Sequence, residues 1–341
     1  MANQQRPTIK FILSVDTEEE WNWSGPFPEE RFAVENIKKI PEFQAFCESV
    51  GIKPSYFVDY AVANDPSSVD ILKSPMQAGQ CEIAGHLHPW ANPPYFGKTS
   101  EFESHVVNLP YEQVEAKLKV LTEKLETVFG VSPQAFRTGR WGINGQILKL
   151  LTKYGYCIDS SVYPFYENQY FNCYGAPTDA YWPNYDDVLE VGEQREISQI
   201  PVTVGFSNTH FDLSHKIHHL LSRPSLRFFR PIGLAWHLGL LKKLYMSPEL
   251  STANEMCLLA KQAIKRGDDY IHMYIHSSSL LSNATGFVVG ENPLDDITQA
   301  ISQVVSFLKQ HVNVQFCTIS QYNEQWINKS SLSALKTEQA Q

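Results

Sequence analysis

The chain has 341 residues, 43% of them hydrophobic and 12% aromatic, and a formal net charge of -9. Those proportions belong to a globular protein with a substantial core, and they exclude a disordered chain and a basic nucleic-acid binder. The length exceeds a usual single domain, but barrels of alternating strand and helix reach it as one unit.

The first residues run straight into an apolar stretch at 9–15, without the charged region, long apolar region and cleavage site of a signal peptide, so a cytoplasmic location is expected. Further strand-like runs follow at 54–58, 81–84, 135–136, 200–204, 270–275 and 314–317. Helix-like periodicity separates them at 35–50, 67–79, 111–129, 144–154, 251–266 and 294–311. In the helix from Tyr111, Val114, Leu118, Leu121, Leu125 and Val128 recur at three and four residues, leaving Glu112, Lys117, Lys119 and Glu123 for water. Gly130 and Pro133 end it. Strands alternating with helices imply right-handed crossovers and a parallel sheet closed, or nearly closed, as a barrel of about seven strands.

Periodicity fails over 163–248, where aromatics, prolines and clustered histidines suggest an insertion near the barrel mouth. Within it the greasy segment 228–241 contains Arg230, Pro231 and His237 and is too short to cross a bilayer unaided. Over 213–248 there are six basic residues, Lys216, Arg223, Arg227, Arg230, Lys242 and Lys243, and no acid. That stretch suits peripheral contact with an anionic membrane, or a phosphate on a lipid- or nucleotide-linked sugar; a solvated basic face is the plainer alternative. The six cysteines lie far apart and read as reduced thiols. Residues 1–327 are expected to form one barrel domain and 328–341 a disordered tail.

Chemistry-bearing residues gather at strand ends, where such a barrel places its active site. Asp16 and Glu18, two apart on extended backbone, face one side, and a solvated acidic loop is the competing explanation. His86 and His88 repeat that spacing with imidazoles, a pair able to hold one metal. His276 closes the run from Tyr270 and is a candidate acid, with His272 one layer deeper. Arg137 and Arg140 flank Thr138-Gly139, so one guanidinium can face a carboxylate and the other substrate or structure. Trp21, Trp23, Trp90, Trp141, Tyr163 and Trp182 lie near these positions and offer faces for a sugar ring.

Taken in order, S-V-D-T-E-E-E-W, E-I-A-G-H-L-H-P-W, F-R-T-G-R-W-G, Y-G-Y-C-I-D-S-S-V-Y-P and Y-I-H-S-S-S-L resemble the motifs of the polysaccharide deacetylase superfamily (carbohydrate esterase family 4, NodB homology). The narrower likeness is to lipopolysaccharide-biosynthesis-associated deacetylase-like proteins of the WalW type, and it spans about residues 9–318. The resemblance implies an α/β fold, a distorted (β/α) barrel of glycoside hydrolase/deacetylase type. It makes Asp16 the catalytic base, Arg137 the residue that orients it and His276 the general acid. Thr17 stands where the family's metal-binding aspartate usually is, leaving Glu18 as ligand; Trp90 replaces the second motif histidine, leaving His88 to join His86. Trp90, Arg140, Trp141, Asp159, Tyr163 and Arg230 are then the candidate substrate contacts. The expected cofactor is a divalent metal, zinc first, with cobalt, nickel or manganese also compatible. The expected reaction removes an acetyl group, N-acetyl before O-acetyl, from a surface-polysaccharide or lipopolysaccharide sugar or its precursor. The alternatives are a non-catalytic glycan-binding or assembly protein with a degenerate metal site, and a metal-dependent hydrolase of a small amide.

Overall fold

A computed structural model describes residues 6–221, 241–285 and 290–338, with side chains through 330. In chain order its elements are β1 (Thr8–Thr17), a 3-10 turn (Glu35–Lys39) leading into α1 (Ile40–Val50), β2 (Ser55–Val58), α2 (Tyr60–Asn64), α3 (Pro66–Gln77) and β3 (Glu82–Leu87). Next come α4 (Tyr111–Phe129), β4 (Ala135–Thr138), α5 (Gly145–Lys153), β5 (Ile158–Asp159), β6 (Ser198–Gln199), β7 (Val204–Phe206), α6 (Phe211–Leu221) and β8 (Lys243–Tyr245). The last elements are α7 (Ala253–Arg266), β9 (Tyr270–His276), α8 (Pro293–His311), β10 (Asn313–Phe316) and α9 (Ile319–Glu338).

Strands β9, β1, β2, β3, β4, β5 and β6 lie side by side, all parallel, and β10 joins the first half of β1. The gap between β6 and β9 is bridged by the Thr203 amide donating to the His272 carbonyl (3.0 Å) and the His272 amide donating to Thr203 Oγ1 (2.8 Å). The result is a distorted (β/α) barrel. Its helices cover the outside: on α4 the apolar stripe Val114, Leu118, Leu121 and Leu125 is buried. Local chemistry sets the ends, with the Asn144 side chain capping α5, a Thr252–Glu255 capping box opening α7, and left-handed Gly130 and Gly267 closing α4 and α7.

Several sequence expectations change. The run 200–204 is not one strand; it leaves β6 and crosses to β9 before β7, because its amides serve the closure just described. Nor is 163–248 wholly an insertion, since β6 belongs to the main sheet. Around β6, the segment adds loops and the antiparallel pair β7–β8 at the mouth. Helix α9 continues past Asn328, where the sequence suggests a disordered tail; it starts from buried Ile319, Tyr322 and Asn323, which anchor its first turns in the core. All six cysteines are free. Among the described residues no helix is long and apolar enough to cross a membrane.

Lys117 is the sharpest departure. Helical periodicity leaves it for water, yet it is buried, and its ammonium donates to the carbonyls of Pro89 (2.8 Å), Asn92 (2.6 Å) and Pro94 (2.8 Å). Burial pushes its pKa down to about 8. The lysine therefore pins the loop that follows β3 and carries Trp90. Lys117→Met is expected to destabilise the protein by about 1–3 kcal/mol, the cost of stranding buried carbonyls. Urea unfolding at pH 7 checks this, and a variant as stable as wild type would mean the loop holds its shape without the ammonium.

Candidate active site

Strand register builds the site before any side chain does. Asp16 on β1 lies beside His276 on β9 and Phe57 on β2, while His86 on β3 lies beside Arg137 on β4. All five are at or next to the C-terminal ends of parallel strands. Sequentially distant side chains thus converge on one cavity of about 490 Å³, whose floor includes Asp16, Glu18, His86, His88 and His276.

Arg137 is completely buried beneath that floor. Its Nη1 donates to Asp16 Oδ1 (2.5 Å), its Nε to the Ser160 carbonyl (3.0 Å), and its Nη2 to Ser14 Oγ and Ser160 Oγ (3.0 Å each). The Ser14 hydroxyl reaches His272 Nε2 at 2.9 Å, and His272 Nδ1 faces the Pro201 carbonyl. His272 is therefore a neutral core imidazole, its pKa driven well down by burial and by Arg137. Burial would raise the Asp16 pKa, but Arg137, His86 and His276 hold that carboxyl below its ordinary value. Asp16 is an oriented anion with Oδ2 turned toward His276 Nε2, 3.8 Å away.

His276 carries the opposite charge. Burial opposes protonation, but Glu249, with Glu18 and Asp16, pushes its pKa up to about 10. Glu249 Oε2 takes Nδ1 of the ring (2.9 Å) and Oε1 accepts the backbone amide of the same residue (2.7 Å). Sequence reasoning missed Glu249, which sits in the aperiodic stretch after β8; the only local signal is its position after Ser247-Pro248. A base and an acid whose pKa values are pushed apart by their surroundings form an acid–base pair suited to neutral pH.

Beside this pair, Glu18 Oε2 lies 3.5 Å from His86 Nε2 and 3.3 Å from His88 Nε2, all three residues being buried. Burial lowers both imidazole pKa values, to about 4 for His88. His88 Nδ1 lies 3.1 Å from each oxygen of Glu19, so that nitrogen bears the proton and Nε2 turns its lone pair on the Glu18 carboxylate. Lone pairs facing one another repel unless a proton or a metal ion lies between them, and burial raises the Glu18 pKa so that a proton serves there when no metal is bound. Ligands about 2.0–2.2 Å from a tetrahedral zinc stand about 3.3–3.5 Å apart, which matches both separations. The donor set therefore fits a divalent ion.

Glu19 is a second residue the sequence did not single out. It orients His88, accepts the Trp90 indole N–H (2.6 Å), and has its pKa pushed up to about 7 by burial, with Asp59 beside it. The Trp90 ring stacks on His88 (4.3 Å between centroids) and lies behind that imidazole, outside the cavity lining. It is a backing plate in place of a sugar contact. Thr17 spends its hydroxyl on the Val15 carbonyl (2.9 Å). A side chain at Gly139 would meet His88: an added Cβ would fall 2.1 Å from its ring, so the R-T-G-R motif needs glycine to let β4 approach the imidazole.

The remaining candidates divide. Arg140, Trp141 and Tyr163 line the cavity. Arg140 and Trp141 both have positive φ (62° and 64°), a backbone cost accepted at the turn leaving β4. Arg140 is tied to Glu101 Oε1 and Ser104 Oγ, 2.7 Å each. Asp159 lies outside the lining; its oxygens accept from the Ser161 amide and hydroxyl, making it a structural turn residue. Trp182 packs on Trp326. Arg230, with Arg223 and Arg227, lies outside the described residues. Of the other basic residues, Lys242 pairs with Glu255 and Lys243 donates to the Phe165 carbonyl, so those two charges serve the fold.

No family model matches the chain, and no curated protein matches its sequence. Solved structures do match. One, from Mycobacterium smegmatis and provisionally named a polysaccharide deacetylase, is 15% identical over 97% of this chain and 93% of its own, with a TM-score of 0.52. Another, from Parabacteroides distasonis and provisionally named a glycoside hydrolase/deacetylase, is 13% identical over 94% of this chain and 71% of its own, with a TM-score of 0.56. At such identities the likeness is one of fold.

Proposed function

We propose that the protein is a metal-dependent deacetylase that removes an acetyl group, N-acetyl by preference, from a sugar. One observation carries this reading: an anionic Asp16 and a cationic His276 face each other beside a Glu18–His86–His88 cluster whose separations match those of ligands on one divalent ion. The names of the two structural neighbours agree with it, and so does the order of the motifs in the sequence.

Glu18, His86 and His88 would hold the ion. When bound, it supplies Lewis acidity toward the acyl oxygen and toward water. Asp16, with one oxygen fixed by Arg137, takes the proton from the attacking water through Oδ2. His276, held by Glu249, gives its Nε2 proton to the departing amine or hydroxyl. Trp23 lies edge-on to the His276 ring at 4.8 Å and keeps it facing Asp16. We assign the substrate to bacterial surface polysaccharide or lipopolysaccharide biosynthesis, in the cytoplasm, on the sequence resemblance. A lipid- or nucleotide-linked sugar is the accompanying proposal, and the same resemblance leads us to place zinc first among the metals.

The test is acetate release from a panel of acetylated glycosides by protein loaded with zinc or cobalt. Metal-stimulated release supports the reading. A protein that binds glycans but never releases acetate would instead be the non-catalytic form. Glu249→Gln is expected to move the basic limb of the kcat/KM profile down by at least about one pH unit, because the carboxylate that holds the proton on His276 is gone. An unmoved limb would remove Glu249 from the mechanism.

A further inference from the structure

Two tyrosine hydroxyls meet at the cavity, and the mechanism above uses neither. Tyr274 lies on β9 two residues before His276, on the same side of the strand, and Tyr163 follows β5. Their hydroxyl oxygens are 2.5 Å apart, and both residues line the cavity although little of either is exposed. Packing fixes the two rings. Tyr163 is stacked on Trp141 (4.7 Å) and on Tyr245 (6.0 Å), while Tyr274 meets Trp141 (5.4 Å) and Tyr163 (5.8 Å) edge to face. The oxygens are therefore held in place before any ligand arrives.

Counting protons leaves one donor over. Burial pushes both phenol pKa values well above their ordinary range, so both hydroxyls keep their protons at neutral pH. A single hydrogen bond between two hydroxyls takes one proton, and the other must point elsewhere. Among the described residues neither oxygen has a second hydrogen-bond partner. The wall around the pair is aromatic, with Trp141, Tyr166, Phe171 and Tyr245, so the cavity is the direction left to the second proton. A ligand that covers the pair without offering an oxygen strands that O–H at a cost of about 1–3 kcal/mol. In a pocket of this kind a few fixed polar groups among apolar walls decide which ligand is accepted.

We infer that the Tyr163–Tyr274 pair donates one hydrogen bond to a hydroxyl oxygen of the sugar, and so separates sugars from plain amides of similar size. This rests on the sugar substrate of the reading above. The acceptor is assigned to the sugar because Tyr274 stands two residues from His276 on one side of β9, and the sugar is the part that departs with the His276 proton.

The experiment compares zinc-loaded wild type with a Tyr163→Phe, Tyr274→Phe double variant, which keeps both rings and their packing. The sugars are the best-accepted methyl glycoside of N-acetylglucosamine, N-acetylgalactosamine and N-acetylmannosamine, and its 3-, 4- and 6-deoxy analogues where the ring permits. Acetate release gives kcat/KM, and calorimetric titration gives affinity without need of turnover. With wild type, one deoxy analogue should fall about tenfold or more below the parent sugar, as a site built around a substrate hydroxyl requires. With the double variant the parent should fall by that same factor and the ratio should collapse to about one, at unchanged metal content. Wild type indifferent to every deoxy position overturns the assignment, and so does a double variant that keeps the wild-type ratio or loses all the sugars equally. Binding that shows the expected ratio without any acetate release overturns the deacetylase reading and leaves the tyrosine assignment standing. Neither binding nor turnover of any of these sugars overturns both.

Discussion

A His86→Ala, His88→Ala double variant is expected to lose the divalent ion that wild type retains after mild dialysis, falling from about one equivalent to background. Elemental mass spectrometry reads the difference directly. Of the three candidate donors the variant keeps Glu18 alone, whose pKa is raised first by burial and which is a poor site for a metal by itself. Acetate release should fall with the metal. Trp90→Phe is the matched control: it removes the indole N–H from Glu19 but leaves every donor atom of the cluster, so the metal should stay. Equal metal content in wild type and the double variant, or none in either after added zinc or cobalt, would sink the hydrolytic mechanism.

Replacing Arg137 by Ala is expected to cost about 3–5 kcal/mol of stability, the usual penalty for removing one partner of a buried ion pair. The guanidinium makes five hydrogen-bond or ion-pair contacts under the cavity floor and is not exposed to solvent at all. Its removal leaves Asp16 buried without its main counter-charge. The pH dependence gives the sign. In wild type the Asp16 pKa is depressed, so its contribution is present above the unfolded carboxyl value of about 3.9 and is lost as pH falls through the folded value. In the variant burial dominates and the pKa rises, so the native state binds the proton more tightly and acidification relieves the defect. Urea unfolding should therefore show a penalty that is larger at pH 7 than near pH 4. A penalty that does not vary with pH would mean that lost packing, not the stranded carboxylate, sets the cost.

The barrel was legible because its strands end in chemistry and its helices show clean periodicity; α4 begins and ends at the expected residues. Asp16, His276 and Arg137 share one site as the strand ends suggested, and Glu18, His86 and His88 meet as spacing two on extended backbone requires. What escaped were residues whose role depends on a partner far away in sequence. Glu249 matters through His276, Glu19 through His88, and Lys117 through carbonyls of a loop more than 20 residues earlier. Periodicity reports which face of a helix turns inward, but not that a cation there will find oxygen. Trp90 and Asp159 mark the opposite error: each lies in a motif, yet each supports the site from behind.

Strand β1 has a consequence for how the chain acquires its active site. It is flanked by β9 and β10, whose partners for Lys10 are Tyr270 and Gln315. During synthesis, then, the apolar run from Ile9 to Val15 leaves the ribosome with most of its final neighbours still to be translated. Contacts of such long sequence separation form slowly and leave an unpaired strand open to aggregation in the meantime. Asp16 can face His276 only once β9 has been made, so a nascent or C-terminally truncated chain lacks the Asp16–His276 pair altogether and carries an unsatisfied strand for other chains to find.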